Sequence, residues 1–146
     1  MPVALAAIDN CTIFIDTPNE VVQQAAGWME LRNLRRREVL GNDDGFRGLG
    51  VVLSGTMQAV DYTADGKEVA LLTAGVNETF GMAEILAARA LPLTWMAGAA
   101  STAVALMPEA QARILLRHPA VALKAANVLA QQVCDAHGWQ KVRSVH

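Results

Sequence analysis

Between Leu31 and Met107 the apolar residues come in short runs, each closed by a turn signal. Leu49 to Leu53 stops at Ser54-Gly55, Thr56 to Tyr62 stops before Asp65-Gly66, and Val69 to Leu72 stops before Gly75-Val76-Asn77-Glu78. Val39-Leu40 runs into a further cluster, Gly41-Asn42-Asp43-Asp44-Gly45. Glycine, asparagine and aspartate tolerate the backbone angles of tight turns, so such clusters mark chain reversals. Asp65-Gly66 is the strongest of these signals and predicts a type I′ hairpin, with positive φ at both central residues. Strands resume from Trp95 to Met107. Several short strands at this spacing predict a sandwich or roll.

Helices flank this region. Thr17-Pro18-Asn19-Glu20 predicts a helix to about Trp28, with Thr17 as the cap, Pro18 at the first helical position and Glu20 reaching back. Ile15 precedes it. Gly81 to Ala90 predicts a short helix ended by Pro92. Pro108 opens another through Arg117, and His118-Pro119 starts a longer one. From Pro119 to Ala136 the polar positions Lys124, Asn127 and Gln131 form one narrow face. Nearly everything else there is Ala, Val or Leu. Packing on a single surface needs only about a 100° apolar stripe. This helix is therefore expected to bury two sides, one on its own domain and one on a partner, through Val121, Ala125, Val128, Leu129, Val133 and Ala136. Continued to Val142 it would measure ~36 Å at ~1.5 Å per residue. Gly138 weakens its end by roughly 1 kcal/mol.

The chain of 146 residues is 53% apolar and only 18% charged, which suits one packed domain and argues against disorder. Its net charge of −2 is unlike that of a free-standing DNA-binding domain, which must neutralise phosphates. The basic run from Arg32 to Arg37 reads as a solvated strand edge. Cys11 and Cys134, the two cysteines, lack metal-site spacing and fit reduced thiols in the cytoplasm. No secretory signal is read in the first ten residues and no membrane span anywhere. No nucleophile–base pair, paired carboxylates or HExxH spacing supports an enzyme.

The run Asp65-Gly66-Lys67-Glu68-Val69, then Gly75, then Phe80-Gly81, is similar to the central hairpin and phosphate cassette of the cyclic-nucleotide-binding domain family. Arg37-Glu38-Val39-Leu40, Asp44-Gly45 and Val51-Val52-Leu53-Ser54-Gly55 resemble its first strands, although Arg36-Arg37-Glu38 lacks the family's usual glycine. Val104 to Pro108 resembles the strand that ends the roll, and Arg117-His118-Pro119 the junction before the long helix. The chain thus resembles the sensor half of a Crp/Fnr-type transcriptional regulator. The resemblance implies a mainly β fold with flanking helices: a double-stranded, jelly-roll-like β-roll over residues 1–118, then a long C-terminal dimerisation helix over 119–146. It also implies a homodimer. In such regulators a hinge and a winged helix-turn-helix follow. This chain stops at about that hinge, Arg143 to His146, so DNA contact is expected only through a further C-terminal domain. A stand-alone dimerisation or interaction module is the alternative.

Members that bind a cyclic nucleotide place an Arg on the phosphate and a Glu on the ribose, within Phe-Gly-Glu and, after the helix, Pro-Arg-Ser-Ala. Here Phe80-Gly81 is followed by Met82 where the Glu belongs. With one inserted residue, Pro92 matches the Pro, Leu93 the Arg, Thr94 the Ser and Trp95 the Ala. Both charge-bearing positions are apolar, and each lost charge-assisted contact costs on the order of 1.5–3 kcal/mol. The expected effector pocket, Gly81, Met82, Ala83, Leu93, Thr94 and Trp95, is therefore not expected to bind cAMP or cGMP. An apolar or aromatic effector, or an empty roll filled by its own side chains, are the open readings, and Met82, Leu93, Trp95 and Met96 would line such a pocket. Glu84 is expected to point elsewhere, and Arg89 is the nearest cation. Haem would need His137 or Met82 as axial ligand; no metal or cofactor is expected.

Overall fold

The computed structural model describes residues 2–41, 46–88 and 93–144, with side chains as far as Asp135. In chain order the elements are α1 (Leu5–Ile8), α2 (Asn19–Gly27), β1 (Glu30–Leu34), β2 (Gly48–Ser54), β3 (Met57–Tyr62), β4 (Glu68–Ala74), β5 (Thr79–Phe80), α3 (Met82–Leu86), β6 (Thr94–Ala97), β7 (Thr102–Pro108), α4 (Glu109–Leu115) and α5 (Pro119–Ser144). They build two antiparallel sheets, one of order β1-β7-β2-β5 and one of order β4-β3-β6.

β2 shows how the layers arise. Alternate residues of a strand point to opposite faces. Leu49 and Val51 join Ala105 and Met107 of β7 under all five helices, while Val52 joins Val104 in the space between the sheets. Both faces of β2 are thus buried, which is why its sequence reads as a continuous apolar run rather than an alternation. The interior of the roll is closed by Leu34, Leu40, Met57, Ala59, Ala74, Phe80, Trp95 and Ala97. Gly50 lets the Phe80 ring lie flat on the strand, since a Cβ there would stand 2.1 Å from the ring.

Two local expectations change. The β3–β4 hairpin forms, but positive φ falls on Gly66 and not on Asp65. Gly66 N–H donates to the Thr63 carbonyl and Thr63 N–H to the Lys67 carbonyl, the pattern of a type I turn closed by a glycine bulge. The Thr63 hydroxyl donates to Asp65 and accepts from Lys67 N–H, which holds Asp65 in that turn. Thr17 does not cap α2. Its hydroxyl donates to the Ile13 carbonyl and accepts from Lys124 Nζ at 3.1 Å, tying the N-terminal segment to α5. Pro18 takes the cap position without a side-chain bond. The predicted turn residues 42–45 lie outside the described residues.

α5 runs the 26 residues to Ser144, two beyond the expected Val142, or ~39 Å at ~1.5 Å per residue. Its inner stripe is Val121 and Ala125, both buried, with Val128 and Leu129 packed against the same core. Val121 and Ala125 therefore belong to the protomer's own core and not to a partner-facing surface. The outer stripe differs from the expected one: Leu123 and Val133 are 66% and 68% exposed, with Ala126, Ala130 and Cys134 exposed between and beside them. The side chains of Ala136 and His137 lie outside the described residues.

Candidate functional site

The chain enters the site through β5, turns at Gly81 and leaves along α3. Gly81 has φ +87°, a left-handed angle that only glycine adopts cheaply, and a Cβ there would stand 2.2 Å from the Gly48 carbonyl oxygen. This sharp turn starts a single-turn helix in which Met82, Glu84 and Ile85 are all buried. On the far wall β6 presents Trp95. Its ring packs on Phe80 with centroids 5.1 Å apart, and Phe80 packs in turn on Phe46 at 5.7 Å.

Between these walls lies a cavity bounded by Leu72, Thr79, Phe80 through Glu84, Trp95 and, from α5, Leu129 and Gln132. It leaves about 20 Å³ for the centre of a water-sized molecule, where one water needs about 10–15 Å³. Trp95 thus fills the space that a small residue would leave open. Four of the six expected residues, Gly81, Met82, Ala83 and Trp95, line this cavity. Leu93 and Thr94 do not; Leu93 packs on the core between the sheets. Arg89 and Pro92 lie outside the described residues.

Glu84 is the residue that spacing arguments missed. It was expected to point away, yet it is 6% exposed and lines the cavity. A one-turn helix entered through a left-handed glycine does not obey the single-stripe rule of long helices, so periodicity carries no information there. Burial pushes the Glu84 carboxyl up, against weaker opposing effects from its own backbone, Arg47 and Trp95. Arg47 is already engaged: its guanidinium forks onto Glu109 at 2.7 and 3.2 Å, and Arg113 reaches the same carboxylate at 2.7 Å. Those two arginines hold the Glu109 carboxyl down to about 2. No cation lines the cavity among the described residues.

No protein-family model and no curated protein matches the sequence. Solved structures do match its fold. The Thermus thermophilus catabolite activator protein superposes with a TM-score of 0.69 at 24% identity, over 91% of this chain and 63% of that one. The sensor domain of the transcriptional regulator DNR from Pseudomonas aeruginosa gives 0.67 at 16% identity, over 93% of this chain and 90% of that one. The chain shares the fold of these two regulator structures. The same fold extends to the regulatory subunit of a cAMP-independent protein kinase A from Trypanosoma cruzi bound to guanosine, at TM-score 0.69 and 15% identity, over 92% of this chain and 49% of that one. The chain spans about half to two thirds of the length of two of these matches.

Within this sensor fold the cavity occupies the space between the short α3 helix and the roll, and α5 forms its outer wall through Leu129 and Gln132. A larger, shallower groove lies elsewhere on α5, lined by Thr12, Ile15, Lys124, Asn127, Val128 and Gln131. Among the described residues no group of three His, Cys, Asp or Glu side chains is placed to hold a metal ion. No described helix is long and apolar enough to cross a membrane.

Proposed function

We propose that this chain is the effector-sensing and dimerisation part of a Crp/Fnr-like transcription regulator of the cytoplasm, and that its effector is neither cAMP nor cGMP. Residues 1–118 would be the sensing roll and 119–146 the dimerisation helix, with DNA bound by a further domain and no catalysis by this one. The observation that carries the reading is the cavity itself: it is walled jointly by the cassette and by α5, and among the described residues its one charged lining residue is an acid. A guest that changes the packing of Met82 or Trp95 pushes on Leu129 and Gln132, and so favours one setting of α5 over another. That differential contact is what a ligand-driven switch requires.

An anionic guest is disfavoured three times over. Met82 and Leu93 replace two charge-assisted contacts, on the order of 1.5–3 kcal/mol each. A phosphate about 5 Å from ionised Glu84 adds ~3 kcal/mol of repulsion at an effective dielectric of ~20. Together these correspond to more than about four orders of magnitude in affinity. An uncharged effector escapes the third cost, and guanosine, held by the Trypanosoma cruzi protein of the same fold, is uncharged. Isothermal calorimetry of the chain with cAMP and with cGMP should give no binding heat at millimolar nucleotide. Micromolar binding that Trp95→Ala alters would refute the reading.

For dimerisation the outer stripe of α5 is the surface. Leu123, Ala126, Ala130 and Val133 recur at intervals of three and four residues, the spacing of a helix–helix seam. Two large apolar side chains this exposed on one small-residue stripe suit close approach of a second α5.

A further inference from the structure

The polar stripe of α5 faces another part of the chain. Lys124, Asn127 and Gln131 share one side of the helix. With Val128 they line a groove whose opposite wall is the N-terminal segment at Thr12 and Ile15. The groove holds about 320 Å³, at the lower end of the ~300–1,000 Å³ range of small-molecule sites. Both walls are anchored. Ile13 and Phe14 are buried in the core, and Thr12 N–H donates to the Asn77 carbonyl at 3.1 Å. Val121 and Ala125 hold α5 on the same core.

Lys124 sets the chemistry. It is half-buried, and its ammonium donates to the Thr17 hydroxyl at 3.1 Å. Among the described residues no carboxylate lies within ion-pair distance of it. An ammonium has three N–H donors, so two remain. A charge drawn partly out of water is costly until an opposite charge meets it. Asn127 brings an amide to the same groove and Thr12 a hydroxyl, and both can donate. Gln131 is turned elsewhere, since its amide donates to Asp135 at 3.0 Å. Asp135 stands ~16 Å from Lys124 along the helix, beyond the ~8 Å over which charges act through physiological salt. Ile15, 47% exposed, and Val128 supply apolar surface. No acid lines the groove among the described residues. A cationic guest would therefore meet like charge. A bare phosphate would leave Ile15 and Val128 uncovered and would find no guanidinium fork. The complement of this lining is a carboxylate on a compact apolar body.

We propose that the groove between the N-terminal segment and α5 is a binding site for a small organic acid, with its carboxylate on Lys124 and Asn127 and its apolar body against Ile15 and Val128. Such a guest bridges the two elements that Lys124 and Thr17 already join. The site is separate from the cassette cavity, which α5 walls with Leu129 and Gln132, so the inference stands apart from the sensing assignment.

The test uses 2-naphthoate as probe, with the neutral 2-naphthalenemethanol and the cationic 2-naphthylmethylammonium as its isosteres. Each is titrated into the full chain carrying ¹³C-labelled isoleucine and valine methyls. 2-Naphthoate should shift the Ile15 and Val128 methyl resonances saturably and give cross-peaks from its ring protons to both. The alcohol should bind about 10- to 100-fold more weakly, the worth of one charge-assisted contact, and the ammonium should not bind. Lys124→Gln should lower naphthoate binding to the level of the alcohol, and Lys124→Arg should keep most of it. If Lys124→Gln disturbs the fold through loss of the Thr17 bond, Ile15→Glu at its exposed position serves: an acid in the groove should abolish naphthoate binding. Equal affinity for the acid and the alcohol overturns the anion preference. No saturable shift of either methyl at millimolar naphthoate overturns the site, as does naphthoate binding that Lys124→Gln and Ile15→Glu both leave unchanged. Cross-peaks from the Ile15 or Val128 methyls to a second, differently labelled chain give the groove to the second copy and overturn the ligand site. Cyclic-nucleotide calorimetry bears on none of these outcomes.

Discussion

Gly81 is the hinge on which the cassette turns, and replacing it with alanine separates two costs that are usually confounded. Gly81 and Gly66 have nearly equal left-handed angles, φ +87° and +84°. An alanine at Gly66 meets nothing within 4 Å, so Gly66→Ala carries only the backbone penalty, about 1–2 kcal/mol. At Gly81 the new Cβ would sit 2.2 Å from the Gly48 carbonyl oxygen, roughly 1 Å inside ordinary contact. Either the start of β2 or α3 must move, and such overpacking typically costs a further ~1–3 kcal/mol. Gly81→Ala is therefore expected to lose about 2–5 kcal/mol, and to melt about 4–20 °C below wild type at some 2–4 °C per kcal/mol. Urea unfolding followed by far-UV circular dichroism, at one fixed protein concentration, measures both variants. Equal losses for the two, within about 0.5 kcal/mol, would refute the steric part of the reasoning. A loss below about 1 kcal/mol at Gly81 would refute the whole of it.

Further expectations concern charge and assembly. Glu109 is held down to about 2 by Arg47 and Arg113, so its contribution to stability is complete above its ordinary value of 4.5 and disappears as pH falls toward about 2; Glu109→Gln should flatten the acid limb of a melting-temperature profile across that window and leave the rest unchanged. Glu84 has the opposite sign. Burial raises its carboxyl, so the folded state loses stability as pH rises through the folded value. Glu84→Gln should melt above wild type near pH 8, with the gain gone near pH 4; a pH-independent difference would count against an ionising buried carboxyl. Light scattering should show twice the 15.6 kDa chain mass, and Leu123→Glu with Val133→Glu should weaken the dimer by more than about 100-fold, since each buried aliphatic side chain supplies about 1.5–3 kcal/mol. Mild oxidation should cross-link two chains through exposed Cys134, while Cys11, buried and with its thiol pushed up to about 11, should stay reduced.

The pattern of short apolar runs and turn residues was enough to place most strands and the long helix, because strand alternation, turn chemistry and proline positions are properties of neighbours along the chain. Phe80-Gly81, Asp65-Gly66 and His118-Pro119 marked the cassette, the hairpin and the helix junction for the same reason. Chain proximity says nothing of how far a side chain lies from a different element, and there the structure departs from the linear reading. Thr17 bonds Lys124 across 107 positions rather than capping its own helix. Val121 and Ala125 face the roll, and Leu123 and Val133 face outward, a choice that depends on which side of α5 meets Leu49 and Met107. Glu84 is the clearest case: only the left-handed turn at Gly81, pressed against the Gly48 carbonyl on one side and facing Trp95 on the other, brings a carboxylate into a cavity where the sequence shows nothing but apolar replacements.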